Sequence, residues 1–324
     1  MLPPTLDNQM DAAQALRASF LFAAAGVLLV YLLPALRGRF LAYGSRASSN
    51  SPDSKKSDER TPRAPQSQTL VSRFLDHLAI YRVPHSWFIH FYILSVVSSL
   101  FWAHQILNNG YFFNLVASFV HQRRTSMTAN QVLLTWTLML AQGMRRLYES
   151  VAFSKPSKSQ MWIPHWLLGL LFYMMMNIAV WVEGVPTLLN HKPRALHDLP
   201  FLSILPLSLR TSLAVPIFLL ASGIQHAAHH HLFTLPSSPN YVLPTHLVFK
   251  HVLCPHYTAE CVIYLCLSVI AAPVGQPVNW TVFCGLVFVA VNLGVTSVGT
   301  REWYVARFGK ERAGERKGMV PGLF

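Results

Sequence analysis

Charged side chains are scarce in this chain. Asp, Glu, Lys and Arg make up 12% of its 324 residues, whereas hydrophobic residues make up 52%. Ordinary soluble domains carry roughly 25% charged residues. The shortage excludes a typical soluble domain, and the apolar surplus indicates a protein that is embedded in a membrane.

Cysteine is also rare, with four residues in the whole chain. They lie in or beside the last two apolar stretches, without paired spacing: Cys254, Cys261, Cys266 and Cys284. This pattern implies neither a disulfide framework nor a zinc site. We expect the four thiols to act as small packing residues.

Long apolar runs are what the sequence does contain. A membrane-crossing helix needs roughly 20 such residues. Seven stretches approach this length: Ala15–Leu36, Trp87–Leu107, Gln131–Ala152, Ile163–Val182, Phe201–Ile224, Tyr257–Gly275 and Trp280–Val298. They predict an all-α, polytopic bundle of seven transmembrane helices. Pro206 and Pro216 predict a kink in the fifth helix.

The runs divide the chain into three parts. Residues 1–43 are predicted to form an N-terminal signal-anchor helix, because the apolar run is too long for a cleaved signal peptide and a basic stretch follows it. Residues 44–70 are polar and rich in Ser and Pro, which predicts a disordered cytosolic tether. Residues 71–324 form the remaining membrane domain, with no recognisable internal repeat.

The net charge of +13 raises the question of nucleic-acid binding. Most Lys and Arg residues, however, lie in alternate loops, on one side of the predicted membrane. The positive-inside rule places that side in the cytosol, together with the tether and the C-terminus, and leaves the N-terminus in the lumen. Because no folded basic domain is predicted, nucleic acid is excluded as a partner.

Polar residues gather at the predicted cytosolic ends of the spans. They are His90, Arg145, Arg146, Glu149, the histidines 226, 229, 230 and 231 that follow the fifth span, Glu260 and Tyr304. An acidic residue inside a span costs about 2.5 to 3.5 kcal/mol, so Glu260 needs a site or a partner. The convergence predicts a pocket for a charged cofactor and a lipid substrate. A snorkelling or capping role for Glu260 is the alternative.

One histidine motif points to a different chemistry. His226, His229 and His230 fit a single HxxHH box of membrane di-iron oxidases. Such sites need further boxes, and the sequence contains no second one. We therefore predict no metal site and keep the di-iron oxidase as an alternative.

Five motifs resemble a known family. They are VPHSWFIHFYILSV (Val83–Val96), Met144-Arg145-Arg146 followed by Glu149, Gln225 with His229, CPHYTAE (Cys254–Glu260), and the tail RKGMVPGLF (Arg316–Phe324). Together the motifs resemble the steroid 5-alpha-reductase family and, within it, the polyprenol (polyprenal) reductase branch. His256, Arg301 and Gly322 depart from the pattern, which usually has Asn, His and an aromatic residue there.

The resemblance implies a seven-helix reductase domain that binds NADPH from the cytosol. No GxGxxG motif follows a strand, so side chains would have to hold the phosphates. The implied catalytic residues, which donate to the substrate's carbonyl oxygen, are Glu260 and Tyr304. The expected substrate-binding residues are His90, Tyr92 and Gln142. The expected cofactor-binding residues are Arg145, Gln225, His229, Tyr241, His256, Arg301, Arg316 and Lys317.

The resemblance also implies a place and a reaction. The place is the endoplasmic reticulum membrane, and the pathway is dolichol synthesis for protein N-glycosylation. A hydride that adds to a conjugated C=C pushes charge onto a carbonyl oxygen, so we expect polyprenal, a long-chain isoprenoid aldehyde, to be reduced to dolichal. A steroid enone reductase and a non-catalytic lipid-binding protein are the alternatives. Membrane lipids are expected neighbours, and no protein partner can be inferred.

Overall fold

The computed structural model describes residues 10–41, 70–121, 125–155, 159–190, 208–236 and 240–320. The predicted tether, apart from its last residue, lies outside the described residues. So do residues 201–207 of the fifth predicted span and the last four residues, which include Gly322. All the predicted site residues lie within the described part.

Eleven α-helices form the described part of the chain. They are α1 (Ala12–Leu32), α2 (Pro34–Phe40), α3 (Leu70–Ala79), α4 (Ile89–Leu107), α5 (Tyr111–Ser118), α6 (Ala129–Ala152), α7 (Ile163–Val182), α8 (Val185–Asn190), α9 (Leu209–Thr234), α10 (Pro255–Ile270) and α11 (Trp280–Phe308). Short 3-10 turns precede α4 and α10, and a π-helical turn, Lys310–Gly314, follows α11.

The described helices fit a polytopic membrane protein. Five of them are long and apolar enough to cross a membrane, namely α1, α4 with its preceding turn, α7, α9 and α11. The helix α10 is apolar but only 16 residues long. The helix α6 has 24 residues, but its last turns carry Arg145, Arg146 and Glu149. The prediction of a helical membrane bundle is therefore confirmed, while the count of seven spans stays a prediction.

Two helix boundaries differ from the prediction. The first helix ends at Leu32 and a new one begins at Pro34, because proline lacks the N–H that would continue the helix. The helix α9 runs without a break through Pro216 to Thr234. The histidines that were expected to follow the fifth span therefore lie within its last turns, on defined helix faces.

Hydrogen bonds join the helices at one end of the bundle, which we call the clamp end. Arg17 in α1 donates to Glu183 after α7 at 2.8 Å and to the hydroxyl of Thr281 in α11 at 3.1 Å. Thr281 also donates to Glu183 at 2.6 Å. The Gln131 side chain in α6 donates to the carbonyl of Ala272 after α10 at 2.7 Å. The starts of α1, α6 and α11 thus meet the ends of α7 and α10.

Close packing ties α1 to the centre of the bundle. The rings of Phe20 and Phe172 meet edge to face with centroids 6.0 Å apart. A Cβ atom at Gly285 in α11 would meet the Phe20 ring at 3.5 Å. Phe20 is fully buried, so α1 packs as an integral helix of the fold.

The opposite end, which we call the cavity end, is closed by short backbone pairings. Strands β1 (Arg82–Pro84) and β2 (Gln160–Trp162) pair antiparallel, with Val83 opposite Met161, and so set the starts of α4 and α7. The C-terminal segment returns to the bundle, where Leu253 donates to the carbonyl of Lys317 and Cys254 to that of Gly318, both at 2.8 Å. This segment fixes the chain just before α10.

Candidate active site

A cavity of about 330 Å³ lies at the cavity end between α4, α7, α9, α10 and α11. Most of its wall is aromatic or aliphatic, with Phe91, Phe172 and Phe288 among the lining residues. A Cβ atom at Gly169 would come within 2.7 Å of the Phe91 ring, so the absence of a side chain there makes room for that ring. An apolar pocket of this size with a few convergent polar groups is the usual form of a small-molecule site.

Glu149 lies at the centre of the polar residues beside this cavity. Its side chain is 2% exposed, and its carboxylate accepts hydrogen bonds from Arg145 and Arg146. His226 and His229 each place Nδ1 at 2.8 Å from one of its oxygens. A carboxylate offers about four lone-pair sites, so these partners saturate it. Glu149 therefore holds residues of α6 and α9 in one arrangement.

Arg146 extends this network to α4. One terminal nitrogen donates to the hydroxyl of Tyr92 at 2.5 Å, while the other contacts Glu149 and lies 2.7 Å from Nδ1 of His229. The guanidinium also lies over the Tyr92 ring, 4.7 Å from its centroid. This fork-shaped cation thus links α4, α6 and α9 at the cavity wall.

Glu260 belongs to a second set of hydrogen bonds, which we call the glutamine network. It consists of Gln142, Gln225 and Glu260, with Arg145 at one end. The Gln225 amide donates to Oε2 of Glu260, and the Gln142 amide approaches the same oxygen at 3.5 Å. Gln142 also donates to Gln225 at 3.0 Å and accepts from Arg145 at 2.8 Å. Oε2 is thus an acceptor, and Oε1 has no hydrogen-bond partner among the described residues.

The local sequence explains where Glu260 lies. The helix α10 begins at Pro255, in its first turn, where the missing N–H costs no helical hydrogen bond. Glu260 then falls a little more than one turn inside the helix. The same helix start carries His256, whose ring meets that of His229 edge to face with centroids 5.2 Å apart. The helix start thus positions both side chains toward α9.

Seven of the predicted site residues come together at this cavity. They are Tyr92, Gln142, Arg145, Gln225, His229, His256 and Glu260. His90 stands apart from this group, because its ring packs against Trp87 and Trp166 with centroids 5.1 and 5.9 Å away.

Tyr304 does not line the cavity. The nearest polar residue of α11 in the cavity wall is Asn292, and twelve residues of helix separate it from Tyr304, which is about 18 Å along the axis. Tyr304 packs instead against Trp303 and Phe308. The expected joint role of Tyr304 and Glu260 stays a prediction, and Tyr304 is not part of the cavity wall that includes Glu260.

The remaining predicted cofactor residues form a second group around the C-terminal segment. Arg301 donates to the backbone carbonyls of Gly314 at 2.8 Å and Arg316 at 3.0 Å. Arg316 donates to the carbonyl of Pro244 at 2.7 Å. The Tyr241 ring meets Trp303 with centroids 5.1 Å apart. Most of the Arg301 guanidinium is thus engaged in holding the segment, while the Lys317 side chain makes no hydrogen bond within the described residues.

Several cavity residues were not identified from the sequence. Arg146 and Glu149 were noted as polar groups at a helix end and as part of a family motif, but no role was assigned to them, although they organise the site. His165, Tyr173 and Asn292 also line the cavity and were not singled out. A lone Asn in the apolar run of α11 is a readable signal, because an amide in a span needs a partner or a ligand.

The polar groups of the cavity suit the nicotinamide end of a dinucleotide. Among the described residues, Nε of Arg145 and Nδ1 of His256 are buried without a hydrogen-bond partner. Buried polar atoms without partners are costly and are the atoms that a polar ligand would satisfy. By contrast, the described residues contain no group of three or more His, Cys, Asp or Glu side chains that could hold a metal ion.

Comparison with known proteins supports a reductase. A family model described as 3-oxo-5-alpha-steroid 4-dehydrogenase matches residues 203–324. Polyprenal reductase of Saccharomyces cerevisiae is 25% identical over 249 residues, which cover 75% of this chain and 76% of that protein. Polyprenal reductase 2 of Oryza sativa subsp. indica is 29% identical over 274 residues, which cover 71% and 76%. The predicted resemblance to the steroid 5-alpha-reductase family and its polyprenal reductases is confirmed.

Proposed function

From its confirmed resemblance to the steroid 5-alpha-reductase family, we propose that this protein is an NADPH-dependent polyprenal reductase. It would reduce the double bond conjugated to the aldehyde of a long-chain isoprenoid and so yield dolichal, a precursor of dolichol. The names of the relatives support the substrate. The observation that carries the proposal is the glutamine network, which brings Glu260 to the wall of an otherwise apolar cavity.

Within this proposal the chain's own residues stabilise the charge that develops on the aldehyde oxygen. A reduced nicotinamide, when bound, supplies hydride to the β carbon of the conjugated system. Glu260 would donate a hydrogen bond from Oε1, because Oε2 already accepts from Gln225. Donors that are fixed before the reaction stabilise an enolate-like transition state without reorganisation. Our proposal gives Tyr304 no part in this step, because it does not line the cavity.

The same reasoning selects the aldehyde over the alcohol. An allylic alcohol offers no oxygen that can take up the charge of an added hydride, whereas a conjugated aldehyde does. The apolar wall formed by Phe91, Phe172 and Phe288 suits an isoprene unit. The remainder of the chain would extend into the bilayer, because the cavity volume of about 330 Å³ holds only the reacting end.

We place the cavity end in the cytosol and the protein in the endoplasmic reticulum. Among the Lys and Arg residues that the structure describes, Arg17 and Arg210 lie at the clamp end, and the others lie at or beyond the cavity end. The positive-inside rule then orients the cavity toward the cytosol, where NADPH is available. His256, Arg145 and Gln225 would hold the nicotinamide end, and Arg316 and Lys317 the phosphates.

A substrate comparison tests the proposal. Membranes containing the protein receive NADPH together with a polyprenal, a polyprenol or a 3-oxo-4-ene steroid, and the products are identified by mass. We expect reduction of the polyprenal. The description of the matching family model makes the steroid the second candidate, and reduction of the steroid alone would replace our choice of substrate. Membranes without the protein are the control.

A further inference from the structure

The phenol of Tyr92 faces the cavity with its hydrogen uncommitted. Arg146 donates to the Tyr92 oxygen at 2.5 Å, and a guanidinium has no acceptor atom, so the phenol can only be the acceptor in this bond. Among the described residues, Arg146 is the hydrogen-bond partner of that hydroxyl. The Tyr92 O–H is therefore available to a molecule in the cavity, whose wall includes the Tyr92 side chain.

The cation beside this phenol is also held by Glu149. Arg146 contacts the Glu149 carboxylate, while its plane covers the Tyr92 ring. A guanidinium that is fixed by Tyr92 and Glu149 cannot turn away. Its positive charge therefore stays next to the oxygen and stabilises the phenolate that remains once a proton has left.

Tyr173 is another phenol in the cavity wall, and it lacks this arrangement. Its ring lies 5.8 Å from that of Tyr92, centroid to centroid. No arginine donates to the Tyr173 hydroxyl among the described residues. Glu260 is committed by the proposed function to the carbonyl oxygen. Of these groups, Tyr92 alone combines an uncommitted O–H with an adjacent fixed cation.

The reaction requires such an acid. Addition of hydride to the β carbon leaves an enolate, and the α carbon must then gain a proton. Resting on the proposed function, we propose that Tyr92 is the catalytic acid that protonates the α carbon and that Arg146 is its positioning residue. The enolate electron pair forms the new C–H bond with the Tyr92 proton, and the carbonyl is restored. Tyr92 becomes a phenolate beside Arg146 and regains a proton from water.

The test compares Tyr92→Phe with wild-type protein in D₂O. The product aldehyde is reduced at once to the alcohol with borohydride, because the α hydrogens of an aldehyde exchange with the solvent. The alcohol is then converted to a chiral ester, whose NMR spectrum shows which face of the α carbon carries deuterium. Wild-type protein should deuterate one face. Tyr92→Phe should lose 10²- to 10⁴-fold in kcat, the usual contribution of a general acid. Its residual product should carry deuterium on both faces, because water then protonates the enolate.

Two controls separate this role from a structural one. Tyr264→Phe removes the neighbouring phenol, which does not line the cavity, and should keep wild-type kcat and one deuterated face. Binding of NADPH, followed by its fluorescence, should be unchanged in Tyr92→Phe, because the phenyl ring still packs against Arg146. If Tyr92→Phe does not fold, Arg146→Lys replaces it as the test variant, because lysine keeps the positive charge but lacks the planar guanidinium that contacts Tyr92 and Glu149 together. It too should deuterate both faces.

The results decide between the proposals. Tyr92→Phe with kcat within threefold of wild type, or with deuterium on one face only, overturns the assignment of Tyr92. One deuterated face in Arg146→Lys overturns it as well. Wild-type protein that reduces only the steroid overturns the choice of polyprenal, and the deuterium measurement on the steroid product then decides the role of Tyr92. Wild-type protein that reduces neither compound overturns both proposals.

Discussion

Glu149 shows how a single buried residue organises this site. A buried charge is tolerated only when partners replace its hydration. Here two arginines and two histidines from α6 and α9 surround one carboxylate. The two arginine side chains are themselves 18% and 16% exposed, so they depend on Glu149 in turn. Removal of the carboxylate would leave their charges without a counter-ion.

We expect Glu149→Gln to destabilise the protein by about 3 kcal/mol or more, the usual cost of breaking a buried ion pair. The measurement is the thermal unfolding midpoint in detergent. Glu302→Gln is the matched control. Glu302 pairs with Arg37, their side chains are 57% and 39% exposed respectively, and such exposed pairs contribute at most about 1 kcal/mol to stability. Equal shifts in the two variants would contradict this account.

Glu260 gives a residue-scale prediction about hydrogen-bond donation. If its protonated carboxyl donates from Oε1 to the carbonyl oxygen, Glu260→Leu should lower kcat about 10²-fold, as expected for the loss of one oxyanion donor. Glu260→Gln is the matched control and should keep more activity than Glu260→Leu, because its amide oxygen can accept from Gln225 while its N–H donates. The measurement is kcat with polyprenal and NADPH. Equal losses in the two variants would contradict a role for donation at this position.

At the scale of single elements, helix ends decide how the bundle fits together. Thr128 and Gln131 form a capping box at the start of α6. The Gln131 amide also reaches the carbonyls of Ile270 and Ala272, at 3.1 and 2.7 Å. One side chain therefore closes the start of α6 and satisfies the end of α10, which keeps the two helices in register.

We expect Gln131→Ala to destabilise the protein by about 1 to 3 kcal/mol, because it removes part of a cap and takes a donor from two carbonyls, of which Ala272 keeps Arg210 as its other donor. Thermal unfolding in detergent measures the effect. Ser19→Ala is the control, since that exposed hydroxyl bonds only a carbonyl of its own helix, that of Ala15. A loss for Ser19→Ala as large as for Gln131→Ala would argue against a role in joining helices.

At the scale of the whole molecule, one end of the bundle joins helices and the other end contains the site residues. The clamp end joins α1, α7 and α11 through Arg17, Glu183 and Thr281. The cavity end contains the arginines, histidines and glutamines that line or support the site. The clamp holds helices that carry the chemistry, and no described residue of α1 lines the cavity, so α1 contributes to the stability of the site without touching it.

This division yields a prediction from a double-mutant cycle. Arg17→Gln should destabilise the protein by about 1.5 to 3 kcal/mol, because it removes a charged donor from the buried carboxylate of Glu183. The loss in the double variant with Glu183→Gln should be smaller than the sum of the two single losses, because both single variants break the same ion pair. Thermal unfolding of the two single variants and the double variant measures the coupling. Additive losses would mean that the two side chains act independently.

Hydropathy and motifs made much of this protein predictable. The sequence correctly indicates a helical membrane bundle, and it identifies seven residues that meet at the cavity, Glu260 and Gln225 among them. It does not reveal the role of Glu149, because that role depends on how α6 and α9 are rotated against each other. Its grouping of Tyr304 with Glu260 stays a prediction, and only the structure shows that Tyr304 lies about 18 Å further along α11 than Asn292 of the cavity wall.

By itself, then, the sequence determines the class of protein, the family resemblance and the helices that carry polar groups. These depend on composition, local periodicity and residue type. Only the tertiary structure decides which polar groups touch, such as Arg146 with Tyr92 or Gln225 with Glu260. The physical reason is that a buried hydrogen bond forms only within about 3 Å, and that distance is set by the packing of separate helices.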